Sequence, residues 1–217
     1  MTTVDQQRPS RQSPSRAAHE AGERHEDAAV TVRLVEPSEH DVVAALLVDA
    51  YTSDYDIPDD YRASLSAVAE RAAVYEVWVA VDADGQVLGT VATPRAGSLI
   101  SELARAGELD FRLLGVSPAA RGRGVGETLT RHVVDLARQR GASRVVMNSG
   151  PQMISAHRLY HRLGFARLHE RETRVLDDGT RLFAFVLELA LTSAPTSAPT
   201  SAPTEVPTST DPLTAKA

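Results

Sequence analysis

The chain has 217 residues, 42% of them hydrophobic, with 29 acidic and 23 basic side chains for a net charge of −6. That size and composition allow one sizeable core with extensions, and the mild acidity argues against a dedicated nucleic-acid binder, which carries a basic patch or stripe. There is no cysteine, which excludes disulfides, thiolate metal sites and cysteine nucleophiles.

The first 28 residues are polar, with mixed charges and prolines at Pro9 and Pro14, and show no hydrophobic period or signal-like apolar stretch. At the other end, residues 192–217 begin with three copies of TSAP and continue through Pro207 and Pro212. Such sequence buries too little apolar area to offset the entropy of ordering, so both ends are expected to be disordered extensions of a domain at 29–191. The longest apolar run, Val42–Val48, is far too short to span a bilayer. A soluble cytoplasmic protein without a membrane or nucleic-acid partner is expected.

Within the domain, VTVRLVEP alternates as a strand. SEHDVVAALLVDAYTS predicts a helix capped by Ser38, with Val42, Leu46 and Ala50 as its apolar stripe. Asp59–Ala73 predicts a second helix. YEVWVAV and VLGTVAT predict a hairpin across DADGQ, whose Asp-Gly is a tight-turn signal. Glu108–Val116, ELDFRLLGV, predicts one continuous strand. Next comes VSPAARGRGVGETLTRHVVDLARQRG: a loop with Gly122, Gly124 and Gly126, then a helix with Val125, Leu129, Val133 and Leu136 on one face and Gly141 at its end. SRVVMN predicts a strand, and PQMISAHRLYHRLGF a helix from Pro151 to Gly164. FARLHERETRVL and RLFAFVLEL predict a last hairpin across DDGT. The order β-α-α-β-β-β-α-β-α-β-β implies an α/β (α+β) fold, a mixed and mostly antiparallel sheet flanked by helices on both faces.

A glycine-rich loop at a helix N-terminus presents free amides and the positive end of the helix dipole, and it favours a phosphate. Arg121 and Arg123 add cationic donors. A plain strand-to-helix turn is the simpler alternative. The P-loop pattern needs Gly-Lys, which is absent, and the dinucleotide fingerprint needs glycine where Glu127 stands.

The spacing Arg121-x-x-Gly124-x-Gly126 resembles the pyrophosphate motif [RQ]-x-x-G-x-[GA] of the GCN5-related N-acetyltransferases, the GNAT family. The second motif follows in order: Ala156, Leu159, Tyr160, Gly164 and Phe165 match A-x-x-L-Y-x-x-x-G-F. The likeness runs over roughly residues 30–190. It implies that Arg121, Gly122, Arg123, Gly124, Val125 and Gly126 bind the pyrophosphate of acetyl-CoA, the co-substrate. It further implies that backbone around Leu114, Gly115 and Val116 pairs with the pantetheine arm, the Val116 amide being a candidate oxyanion donor. Tyr160 takes the place of the general acid, and Asp110 that of the glutamate base in histone-acetylating members, with Glu108 on the same face and water chains as the alternative. Family members often carry Asn three residues before the motif alanine; here Met153 stands there, so that hydrogen bond is missing or comes from Ser155 or Asn148.

His157 and His161 are spaced i,i+4, but no HExxH frame or third ligand accompanies them, so no metal is expected and both read as solvent-facing. Tyr51, Tyr55, Tyr61 and Trp78 either line an acceptor cleft or pack. The resemblance implies an N-acetyltransferase acting on a primary amine of a small molecule or peptide, in a family whose members often form homodimers. The alternative is a non-catalytic acyl-CoA sensor on the same fold.

Overall fold

The computed structural model describes residues 30–190; the expectations for both ends of the chain lie outside them. β1 (Thr31–Leu34), β2 (Glu76–Val81), β3 (Val87–Thr93) and β5 (Arg112–Val116) form an antiparallel sheet in the order β1-β2-β3-β5. β4 (Glu108–Asp110), β6 (Arg144–Ser149), β8 (Phe183–Glu188) and β7 (Ala166–Arg167) form a second sheet, in which β4 runs parallel to β6 and the other pairs are antiparallel. The expected single strand 108–116 is therefore two. Its first three residues belong to one sheet and its last five to the other, and the chain crosses between them at Phe111, which is 2% exposed.

α1 (His40–Thr52) packs on one face of the first sheet, and α4 (Val125–Gln139) on the other. Ser38 lies inside a 3-10 turn ahead of α1 and caps nothing; the Glu39 carboxylate accepts the Glu36 amide at 2.8 Å. The buried stripe of α1 is Val43, Leu46, Leu47 and Ala50, with Val42 exposed. In α4 the face carrying Val125, Leu129 and Val133 is at most 1% exposed. Truncating Leu129 to Ala would cost about 2–5 kcal/mol. Close packing on both faces needs glycine where β3 meets β5: a methyl at Gly89 would come within 2.9 Å of the Gly115 carbonyl, and one at Gly115 within 2.9 Å of Leu47.

The expected second helix breaks at Ala67 into α2 (Asp59–Ser66) and α3 (Val68–Val74). Arg71 folds back to donate to the carbonyls of Ser64 and Leu65, which the break leaves without helical partners. The β2–β3 hairpin forms as expected, with the Asp82 carboxylate accepting the Asp84 and Gln86 amides at 3.1 and 2.9 Å. α5 (Ile154–Arg162) starts three residues after Pro151, which is spent in a turn closed by the Met153 amide on the Gly150 carbonyl.

The last hairpin is shorter than its sequence suggests. After β7 the chain makes a 3-10 turn at His169–Arg171, because Arg171 swings inward onto Glu108, with Nη1–Oε2 at 2.5 Å and Nη2–Oε1 at 2.9 Å, both side chains being less than a tenth exposed. Burial opposes the Glu108 charge, but Arg171 holds its carboxyl below the usual range.

Candidate active site

Where β5 leaves β4, a gap opens between the sheets. Leu113, at φ 55°, is the one non-glycine residue at positive φ among the described residues, and the β3–β5 register slips between Thr90 and Ala92. This bulge re-aims the strand. The Ser117 amide donates to the Leu88 carbonyl at 2.9 Å, and Gly115 lies opposite Thr90. By the alternation of an antiparallel ladder the amides of Leu114 and Val116 point away from β3, toward the gap. β5 is an edge strand, so this row of backbone groups is unpaired.

The glycine loop continues directly from that edge. Gly122 and Gly124 both take φ 77°, a left-handed conformation costly for other residues. Gly124 caps α4, whose first helical bond runs from the Thr128 amide to the Gly124 carbonyl at 2.9 Å. The amides of Val125, Gly126 and Glu127 therefore have no partner within the helix. The Arg121 guanidinium turns away from the loop to the end of α1, where it bonds Asp54 at 2.9–3.0 Å, the Ala50 carbonyl at 3.0 Å and the Ser53 hydroxyl at 2.8 Å. Arg123 is exposed.

Loop, edge strand, α1 and α5 enclose a cavity of about 630 Å³. Leu114, Gly115, Val116, Arg121, Gly122, Gly124, Val125 and Gly126 line it, and Arg123 does not. Tyr160 lines it from α5, 3% exposed, its ring 5.6–6.3 Å from those of Phe111, Phe165 and Phe185. Burial, and to a smaller degree Tyr55, pushes the phenol well above its usual range, so it stays protonated and able to donate.

The acetyltransferase (GNAT) family profile matches residues 41–165. The chain belongs to the GNAT family. An N-acetylaspartate synthetase of Danio rerio is 36% identical over 104 residues, 48% of this chain and 34% of that one. The chain spans between 28% and 61% of the length of the curated relatives it matches. A GNAT acetyltransferase of Staphylococcus aureus superposes with a TM-score of 0.59 at 14% identity, over 75% of this chain and all of that one. The protein yncA of Salmonella typhimurium, solved with its cofactor acetyl-CoA, superposes with a TM-score of 0.53 at 21% identity, over 79% of this chain and all of that one.

Within this GNAT fold, Asp110 falls away from the cavity. It is 1% exposed and accepts the Ser101 hydroxyl at 2.5 Å and the Ile100 amide at 3.4 Å, so it ties down the segment that leads into β4. Burial raises its carboxyl above the usual range, against those hydrogen bonds. Period-two reasoning from Val116 fails because the strand changes sheets at Phe111 and bulges at Leu113. Glu108 is likewise committed, to Arg171. His157 is buried rather than solvent-facing, with Nε2 3.1 Å from the Ser149 hydroxyl, whereas His161 is exposed. Among the described residues no three His, Cys, Asp or Glu side chains gather in a metal-like cluster.

Met153, Ser155 and Asn148 all line the cavity. Tyr51 and Tyr55 do too, and Tyr61 packs edge-on against Tyr51 at 5.9 Å. Trp78 instead faces α4, 4.3 Å from the His132 ring. Sequence reasoning missed Arg112 and Asp54, which also line the cavity. A lone cation inside FRLL was the available signal for Arg112; nothing local marks Asp54.

Proposed function

We propose that this GNAT protein transfers the acetyl group of acetyl-CoA to a primary amine. The observation that carries this reading is a continuous run of unpaired backbone donors. It leads from the amides at Gly124–Glu127, along the open edge of β5 at Val116 and Leu114, to the buried hydroxyl of Tyr160. The loop suits a pyrophosphate, with charge-assisted bonds worth about 1.5–3 kcal/mol each. The free edge suits an amide-bearing arm added like a strand. An edge amide, Val116 or its neighbour Leu114, would donate to the oxyanion as the amine nitrogen attacks the thioester carbon. As the C–S bond breaks, Tyr160 would deliver its proton to the departing thiolate. The amine's proton would leave through water in the open cavity, since Asp110 and Glu108 are engaged elsewhere.

Met153 at the position where relatives often place Asn supports the rival reading, an acyl-CoA sensor, and the intact loop and Tyr160 favour the enzyme. Thiol release from acetyl-CoA across a panel of amines separates them: a transferase releases CoA with at least one acceptor, and a sensor binds acetyl-CoA and releases none.

A further inference from the structure

The far end of the cavity from the glycine loop carries a guanidinium with no ion pair among the described residues. Three residues, among them the bulged Leu113, separate Arg112 at the start of β5 from Val116, where the loop begins. Arg112 lines the cavity beside Tyr51. Two acids line the cavity, and both are committed: Asp54 to Arg121 and Glu127 to Arg131. Arg112 makes no ion pair among the described residues.

Two more arginines, neither of them lining the cavity, act on the neighbouring Tyr61. The charges of Arg112, Arg174 and Arg71 all reach Tyr61, which packs on Tyr51, and Arg112 adds to the burial that disfavours the charge of Arg71. Arg71 is anchored through Nη2 to backbone carbonyls, and its buried Nη1 has no acceptor among the described residues. Glu70 favours the Arg71 charge without an ion pair among the described residues. The charge of Arg112 also reaches the buried Asp110, but that carboxylate is held by Ser101 and Ile100 and lies off the cavity, so a cavity-lining guanidinium without an ion pair is suited to an anion brought by a ligand.

We propose that Arg112 receives a carboxylate of the acceptor, so that the acceptor is an amine that also carries an acid group, as amino acids do. The planar guanidinium fork matches a carboxylate in two parallel bonds. The amine would then lie beside Tyr51 and Tyr160. This rests on acetyl transfer as proposed above.

The test begins with acetyl-CoA binding by calorimetry, which must hold for the parent and for Arg112→Gln. Thiol release is then measured for the amino acids, their methyl esters, their decarboxylated amines, amino phosphates and polyamines. At least one acid should exceed its own ester by about tenfold or more in kcat/KM. Arg112→Gln should lower that acid's kcat/KM by about 10–100-fold, the loss of one charge-assisted pair, mostly through KM, and leave the ester unchanged; Arg112→Lys should lose less. An ester or polyamine used as well as any acid overturns the inference, as does an amino phosphate preferred to every acid. So does an equal loss for acid and ester in Arg112→Gln, or a protein that binds acetyl-CoA but turns over none of the acids. Failure to bind acetyl-CoA overturns the reading of the site itself and this inference with it.

Discussion

The two ends of the cavity are built from different material. Around the glycine loop the main cavity-facing groups are backbone: left-handed Gly122 and Gly124, the free amides of the first turn of α4, and the open edge at Leu114 and Val116. Around Arg112 they are side chains, Tyr51 from α1 and the guanidinium from β5, with Tyr61 behind. Backbone recognition depends on conformation and tolerates change in most side chains; side-chain recognition depends on identity. Arg121 ties the loop to the end of α1 through Asp54, the Ala50 carbonyl and the Ser53 hydroxyl.

The strongest way to break this contrast is Gly124→Asp. The substitution forces a side chain into φ 77° and sets a carboxylate where the loop amides converge. Calorimetry should show acetyl-CoA affinity falling below detection while circular dichroism stays near the parent's. Unchanged affinity would remove the loop from cofactor recognition.

Tyr160→Phe should cut kcat by roughly 10²–10⁴-fold, the range for losing a general acid, with acetyl-CoA affinity preserved because the ring's packing on Phe111, Phe165 and Phe185 remains. Its raised phenol also makes a pH prediction. The group stays protonated past its ordinary value, so kcat should show no alkaline fall from Tyr160 below about pH 10. Turnover within twofold of the parent, with chemistry rate-limiting, would leave Tyr160 a packing residue.

Asp110→Asn sharpens the boundary of the site. Asp110 holds Ser101 and Ile100 rather than substrate, so kcat should change less than about threefold while stability falls by about 1–3 kcal/mol for the disturbed buried bonds. The folded-state carboxyl is raised, so the native residue stabilises most at acid pH and loses that contribution as pH rises through its folded value. The destabilisation by Asn in urea melts should therefore be larger at pH 4 than at pH 8. A hundredfold loss of kcat would restore Asp110 to the chemistry.

The smallest effect is expected from removing 1–28 and 192–217. We propose that 29–191 is the autonomous unit, so the truncated protein should match the parent in melting temperature and acetyl-CoA affinity. A marked loss of either would give the ends a structural part.

Legibility in the sequence followed the same division. The loop could be read because φ 77° at Gly122 and Gly124 demands glycine and leaves a spacing behind. The second motif could be read because Tyr160, Gly164 and Phe165 occupy fixed places around one helix end. The sheet split could not: ELDFRLLGV alternates well enough to pass for one strand, and nothing local in Phe111 or Leu113 reports that a different sheet claims each side. Nor could the turn at His169–Arg171, which exists because Arg171 meets Glu108 across 63 positions of sequence. The break at Ala67 was hidden for a similar reason, since Ala is a strong helix former and the carbonyls it frees are satisfied by Arg71.

The crossing at Phe111 also bears on how the molecule comes apart. The first sheet is incomplete until residue 116 has been laid down, and the second already needs residue 108. No single cut in the chain leaves both sheets whole, although each has four strands and its own packed face. Two halves that resemble separate modules therefore share one indivisible segment, and neither can reach its full set of partners while the other is unravelled. Such interlocking ties the halves into a single cooperative unit, the all-or-none behaviour usual for domains of this size. The cavity, which lies on the seam between the halves, exists only when both are folded.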